Sequence, residues 1–197
     1  MLDSLSEVAM RTLSSALTLA VMLLVTGPHA SAQEVPKHKG YWISFGLGAG
    51  WNLSNTINSQ SKGGGALFLR MGGTPSEKVL VGGELIGFGT KVDGVSYGRG
   101  NLNAIVMYYL SVPQGLYVKG GIGGASFTTS TTVGNTTTTT TDNGFGAGLG
   151  IGWDVRLGNG NFYLTPALDF LYQRVSVGDN EATNNTVALL TLGVTWH

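Results

Sequence analysis

The sequence contains no cysteine, which excludes a disulfide framework and any metal site built on thiolates. Charged residues are scarce as well, at 11% of the chain, and 11 Lys and Arg balance 11 Asp and Glu. A chain without net charge has no electrostatic basis for binding nucleic acid. We therefore expect no nucleic-acid partner, no metal site and no cofactor.

Long apolar runs are nearly absent too. The one such stretch, residues 13–26, follows Arg11 and precedes the small residues Ala30, Ser31 and Ala32. This arrangement is typical of a secretory signal peptide, and the run is shorter than the ~20 residues of a transmembrane helix. We predict a cleaved signal peptide over residues 1–32, a short periplasmic segment over 33–39 and one domain over 40–197. Met10 is an alternative initiator.

Glycine is abundant instead, with 32 residues, and it falls within segments that alternate strictly between apolar and small or polar side chains. From Tyr41 to Trp51 every odd position is apolar, and the even positions include Ser44 and three glycines. Alternation with period two predicts strands. Eight such segments occur, at about residues 41–51, 64–72, 78–91, 97–110, 116–127, 145–155, 162–173 and 188–196.

The connections between these segments alternate in length. Turns at 73–76, 112–115 and 157–160 are short, and the intervening loops at 52–62, 92–96, 128–143 and 176–185 are generally longer. Outer-membrane barrels show this asymmetry, and a bilayer core forces their sheets to close. The predicted fold is an all-β, eight-stranded antiparallel up-and-down transmembrane β-barrel, with strand 1 pairing with strand 8.

The chemistry of the two faces indicates which one points outward. A soluble barrel would carry many charges on its outer face, but here the polar face is mostly glycine with single charges. That face suits an interior, so the apolar face should meet lipid. The interior charges should form an ion-pair network across the lumen, because burying a lone charge is costly. Lining of a narrow ion path is the alternative role for these residues, which are Arg70, Glu84, Lys119, Asp154 and Asp169.

Aromatic residues recur at a fixed spacing on the apolar face. Tyr41 and Trp51 lie at the two ends of the first segment, and Phe162 and Tyr172 have the same spacing in the seventh. In a tilted strand this spacing corresponds to ~25 Å, the height of the lipid-facing band. We predict that these four residues and Trp196 lie at the membrane interfaces.

With these patterns, the chain resembles the small outer-membrane barrels of the OmpA/OmpX type. The resemblance extends to a final amphipathic strand with Leu190, Leu192, Val194 and Trp196, although His197 follows the terminal aromatic. It implies a monomer in the outer membrane of a Gram-negative bacterium, in contact with lipid and lipopolysaccharide. It also implies that the barrel-assembly machinery recognises the last strand.

Three classes of function remain open. The first is a structural or surface-interaction role, through membrane integrity or through adhesion of the extracellular loops to a partner. The second is a narrow channel for ions or small solutes. The third is a lipid-modifying enzyme, which we do not expect, because His38 and His197 lie at opposite ends of the chain and no Ser–His pair is evident. We interpret His38 as solvated and the Thr-rich residues 128–143 as a disordered loop, with an extended β-ribbon as the alternative.

Overall fold

A computed structural model describes residues 38–54, 63–158, 160–176 and 182–197. These residues belong to one compact unit, Val35–His197. The predicted signal peptide lies outside them, as does most of the predicted loop at 52–62. None of the described residues forms a helix that is long and apolar enough to cross a bilayer. The strands are β1 (Gly40–Asn52), β2 (Gly63–Ser76), β3 (Val79–Val92), β4 (Val95–Ser111), β5 (Leu116–Val133), β6 (Thr136–Trp153), β7 (Val155–Arg156), β8 (Phe162–Ser176) and β9 (Ala182–Trp196).

The sheet closes into a ring of eight antiparallel strands, as predicted. β1 pairs with both β2 and β9, and β6 pairs with β8, while β7 is a two-residue continuation of β6 after a break at Asp154. The register of the strands is staggered around the ring. A path that starts at Ile43 and follows register partners from strand to strand returns to β1 at Leu53 and not at Ile43. A stagger of this size in eight strands corresponds to a tilt of roughly 35–45°.

The apolar side chains point outward, as their alternation indicated. Leu47, Leu102, Ile122 and Leu149 are 64–71% exposed on four different strands. Charged and amide side chains on the opposite faces of the strands are buried. This polarity is the reverse of a soluble protein, and it suits a barrel whose solvent is lipid.

Several turns differ from the predicted connections. His38 and His197, the first and last described residues, lie at one end of the barrel with the turns at 77–78 and 112–115 and the described residues 157, 158 and 160, and we call this end the termini end. At the opposite end, the loop end, the predicted loop at 92–96 is a two-residue turn. Asp93 and Gly94 both have positive φ there, at 48° and 83°, as a type I′ hairpin requires.

The Thr-rich segment is not a loop, so our preferred interpretation of residues 128–143 as disordered was wrong. β5 and β6 pair without interruption from Leu116 and Trp153 to Val133 and Thr136, and Gly134 with φ 60° opens the two-residue turn between them. Threonine is β-branched and favours strands, and this preference outweighs the low complexity of the segment. The ribbon, which we define as Thr128–Asn143, extends β5 and β6 beyond the last pair of β6 with β8, Gly144 and Val175.

Candidate functional site

Four of the five predicted interior charges meet in the middle of the lumen. Arg70 on β2 contacts Glu84 on β3 at 2.7 Å and Asp169 on β8 at 2.7 Å. Lys119 on β5 contacts Asp169 at 2.8 Å and also pairs with Glu84. Each cation therefore touches both anions. The result is a closed, electrically neutral cycle across the barrel, which we call the charge ring.

The charge ring is packed on all sides by side chains. The guanidinium of Arg70 lies 4.0 Å from the centre of the Phe68 ring and donates to the hydroxyl of Tyr117 at 3.3 Å. Asn103 donates to Glu84 at 3.4 Å. The four charged side chains are 0–2% exposed, so water has almost no access to them. Such burial is tolerable only because the charges compensate one another.

Glycines on neighbouring strands create the space for these side chains. A Cβ on Gly152 would lie 2.3 Å from the hydroxyl oxygen of Tyr117, and one on Gly150 would lie 2.2 Å from Oδ1 of Asp169. Phe68 likewise lies over Gly46 and Gly193. The lumen of an eight-stranded barrel is narrow. The glycine-rich face leaves room in it for large and charged side chains from other strands.

Asp154 does not join the charge ring, which corrects the expectation of a single network of five residues. It lies at the break after β6, near the termini end, where it accepts hydrogen bonds from Tyr109 and from Thr165, the latter at 2.6 Å. Nε2 of His197 lies 3.4 Å from its carboxylate. Asp154 is separate from the charge ring because the interruption between β6 and β7 places it near the termini end and away from the ring residues on β2 and β5.

The two histidines close the termini end together. His38 is 2% exposed, so the interpretation of it as a solvated residue was wrong. Its ring stacks on His197 at 4.2 Å and packs on Tyr109 at 4.4 Å. Burial lowers the pKa of His38 to about 4, and the adjacent His197 shifts it in the same direction. His38 is therefore neutral at pH 7, and its Nδ1 lies 3.1 Å from the carbonyl of Glu77.

Ser44 has a structural hydrogen bond instead of a catalytic contact. Its hydroxyl accepts from Thr195 at 2.7 Å, and Thr195 in turn contacts Thr165 at 2.7 Å. In the part of the chain that the structure describes, no group of three or more His, Asp or Glu residues could hold a metal ion.

A second buried arginine has surroundings unlike those of Arg70. Arg99 on β4 points into the lumen near the loop end and is 4% exposed. Its guanidinium lies between the rings of Phe88 and Phe127, at 5.9 and 5.6 Å. Among the described residues no carboxylate pairs with it, and its Nε has no hydrogen-bond partner. Cation–π contacts contribute about 0.5–2 kcal/mol, less than the several kcal/mol that burying an ion costs.

The predicted interface aromatics all lie on the outer surface, at 37–58% exposure. Phe162 and Trp196 are register partners near the termini end, where Tyr41 also lies. Trp51 and Tyr172 are at the other ends of their strands. The five residues thus fall at two levels of the barrel. Their role as membrane-interface anchors stays a prediction.

The model of the autotransporter β-domain matches residues 87–194, which is more than half of the chain. The chain belongs to the autotransporter β-domain family. The match begins within β3 and ends within β9, so it includes the charge-ring residues Lys119 and Asp169. No curated protein matches the sequence.

Solved structures share the barrel of this autotransporter-family chain. It is similar to the Neisserial surface protein A, NspA, with 16% identity and a TM-score of 0.57 over 80% of this chain and 96% of that one. It is also similar to Ail, the attachment invasion locus protein of Yersinia pestis, with 12% identity and a TM-score of 0.53 over 80% of this chain and 98% of that one. This autotransporter-family chain is thus an outer-membrane β-barrel protein of a Gram-negative bacterium.

Sequence reasoning on this autotransporter-family barrel missed Arg99 and the histidine pair. Arg99 sits between Gly98 and Gly100 within the predicted fourth strand, and its place in the alternation with Asn101 and Asn103 already put it on the interior face. The alternation could therefore have identified Arg99 as an interior residue. No sequence pattern indicates the contact between His38 and His197, because their ring centres come within 4.2 Å only when the first and last strands pair.

Proposed function

We propose that this protein is a closed outer-membrane anchor of the OmpA/OmpX type, which acts through its outer surface in adhesion or membrane integrity and not by conducting solutes through its lumen. The charge ring carries this proposal. Its four side chains are 0–2% exposed and bridge the barrel from β2 to β5 and β8, so they leave no water-filled path for ions at their level. A barrel that is closed in the middle of its lumen cannot pass solutes, so partners can meet only its outer surfaces and its mouths.

The orientation follows from the end at which the strands extend beyond the barrel. Outer-membrane barrels keep their periplasmic connections short and project their longer segments outward, and β5 and β6 extend as the ribbon at the loop end. The loop end, with the ribbon, then faces outward. In this orientation β9 ends in Trp196 on the periplasmic side, as expected for recognition by the assembly machinery, and the outer face of the barrel contacts lipid and lipopolysaccharide.

The ribbon supplies a surface suited to a protein partner. From Thr136 to Asn143, β6 pairs with β5 on one side, while its pairing with β8 begins only at Gly144. Natural sheet edges usually carry Lys or Pro as protection against strand addition, and Thr136–Thr141 has neither. An edge of this kind can accept an extended segment of another protein as an additional strand.

One face of the ribbon is also lined with paired hydroxyl groups. Oxygen atoms of Thr128 and Thr141 are 3.1 Å apart, and the Ser130–Thr139 and Thr132–Thr137 pairs are 3.0 Å apart. These cross-strand pairs stiffen an exposed segment in which β5 is paired with β4 only as far as Thr131. The ribbon is therefore an ordered surface that can meet a partner without first being ordered by it.

Shortening the ribbon should abolish adhesion and leave the barrel intact. Deleting residues 130–133 and 136–139 together keeps the Gly134-Asn135 turn and closes it on Thr129 and Thr140, which are already register partners. We expect cells of an adhesin-free Gram-negative host that express this variant to be retained on epithelial monolayers no better than vector controls. The measurement is the count of adherent bacteria, with the heat-dependent gel shift confirming that the barrel folds.

A second variant tests whether adhesion depends on the unpaired strand edge of the ribbon or only on the length of the ribbon. Thr138→Lys with Thr140→Lys keeps the paired hydroxyl groups of the ribbon but places charges along its edge strand, as protected natural edges do. We expect it to adhere as poorly as the shortened protein. Full adhesion by both folded variants would show that the ribbon is not the interacting surface.

A further inference from the structure

The two buried arginines of the lumen have different surroundings. Arg70 contacts two carboxylates within the charge ring. Arg99 is nearly as well buried, yet no described carboxylate lies within ion-pair distance of it. A buried cation normally requires a compensating negative charge. The protein meets this requirement at Arg70 with its own side chains, and the described residues do not meet it at Arg99.

Polar groups without partners occur near Arg99 in the same part of the lumen. Gln173 donates to the carbonyl of Gly100, next to Arg99, at 3.0 Å, but its Oε1 has no partner within the part of the chain that the structure describes. Asn185, the register partner of Gln173, is 1% exposed, and both polar atoms of its side-chain amide lack partners among the described residues. Buried amides are seldom left in this state in folded proteins.

We infer that the loop-end mouth of the lumen is a binding site for a small oxyanion group, such as a sulfate or phosphate ester, held by the guanidinium of Arg99 and the amide of Asn185. The planar guanidinium offers several donors in a fixed geometry that matches such oxyanions. The flanking rings of Phe88 and Phe127 limit its movement. The charge ring lies deeper in the lumen and blocks passage, so the site binds its ligand without transporting it.

The test uses the refolded protein in a nonionic detergent, with ¹⁵N-labelled arginine and a chloride buffer of constant ionic strength. Inorganic sulfate and inorganic phosphate are the probes, and the readout is the Nε–H signal of each arginine. We expect a saturable shift of the Arg99 signal, while the Arg70 signal, already bound to two carboxylates, stays in place. In uniformly ¹⁵N-labelled Arg99→Met, the affinity for sulfate, followed on the side-chain amide signal of Asn185, should fall about tenfold or more relative to the wild type.

Two other outcomes would overturn the inference. Equal, unsaturable shifts at Arg99, Arg156 and Arg174 would mean general screening only. A wild-type Arg99 signal that ignores both anions, but responds to them in an Asp179→Asn, Glu181→Gln variant, would mean that an acidic group of the chain itself neutralises Arg99. Arg99→Lys offers a further check, because it keeps the charge but loses the planar fork and should bind sulfate more weakly than the wild type.

Discussion

Replacing Arg70 by methionine should destabilise the barrel by about 3–5 kcal/mol. The substitution keeps most of the side-chain volume but leaves Glu84 and Asp169 with Lys119 as their only cation in the charge ring. One buried negative charge is then uncompensated, and the hydroxyl of Tyr117 also loses the donor that contacts it at 3.3 Å. Urea unfolding in lipid vesicles, followed by tryptophan fluorescence, measures the change in the free energy of unfolding.

The matched control is Arg99→Met, which removes the other buried arginine from the same lumen. Because no described carboxylate depends on Arg99 and its cation–π contacts do not offset the cost of its burial, we expect Arg99→Met to leave stability unchanged or to raise it by about 1–4 kcal/mol when no anion is added. Equal losses of stability in the two variants would show that packing of the long side chain, and not charge compensation, explains the importance of Arg70.

Replacing Gly123 by alanine should destabilise the barrel by about 1–3 kcal/mol. A Cβ at this position would lie 1.9 Å from the backbone oxygen of Leu102 and 2.8 Å from the Cα of Asn103 on the neighbouring strand. A flexible side chain could move away, but the atoms in conflict belong to the hydrogen-bonded backbone of β4. Relief therefore requires displacement of the β4–β5 pairing itself.

The adjacent Gly124 provides the control for this prediction. It points to the outside, and a Cβ there would meet nothing within 4 Å. Gly124→Ala should leave stability unchanged or raise it by about 0.4–1 kcal/mol, because alanine restricts the unfolded chain. Urea unfolding of the two variants under identical conditions measures the difference. The account of the glycine-rich inner face would be wrong if both substitutions were neutral.

The sequence predicted the barrel well because lipid imposes a simple rule on each strand. Every outward side chain must be apolar and every backbone group must be paired, so the alternation around Phe45 and Leu47 carries the information locally. Ring closure, the pairing of the first strand with the last and the outward apolar face were confirmed. The ends of the strands were less predictable, because the rule does not apply beyond the bilayer, where Thr128–Asn143 continues as a ribbon.

The partners within the lumen could be predicted only as a group. Alternation places Arg70 and Asp169 on the inner face, but their contact joins residues 99 positions apart and depends on the stagger of the ring. Asp154 shows the same limit, because the break between β6 and β7 takes it out of the charge ring. No local sequence pattern predicts the contact between the two histidines, because it forms only when β1 and β9, the strands next to them, pair and close the barrel.

The central claim is that the charge ring closes the lumen, and planar-bilayer conductance tests it most directly. The refolded wild-type protein should give no discrete openings, although the heat-dependent gel shift shows it to be folded. The Arg70→Ala, Lys119→Ala variant, measured beside it, removes both cations of the ring. Discrete openings of the wild type that change in this variant would contradict the account, because they would show that ions pass along these charges.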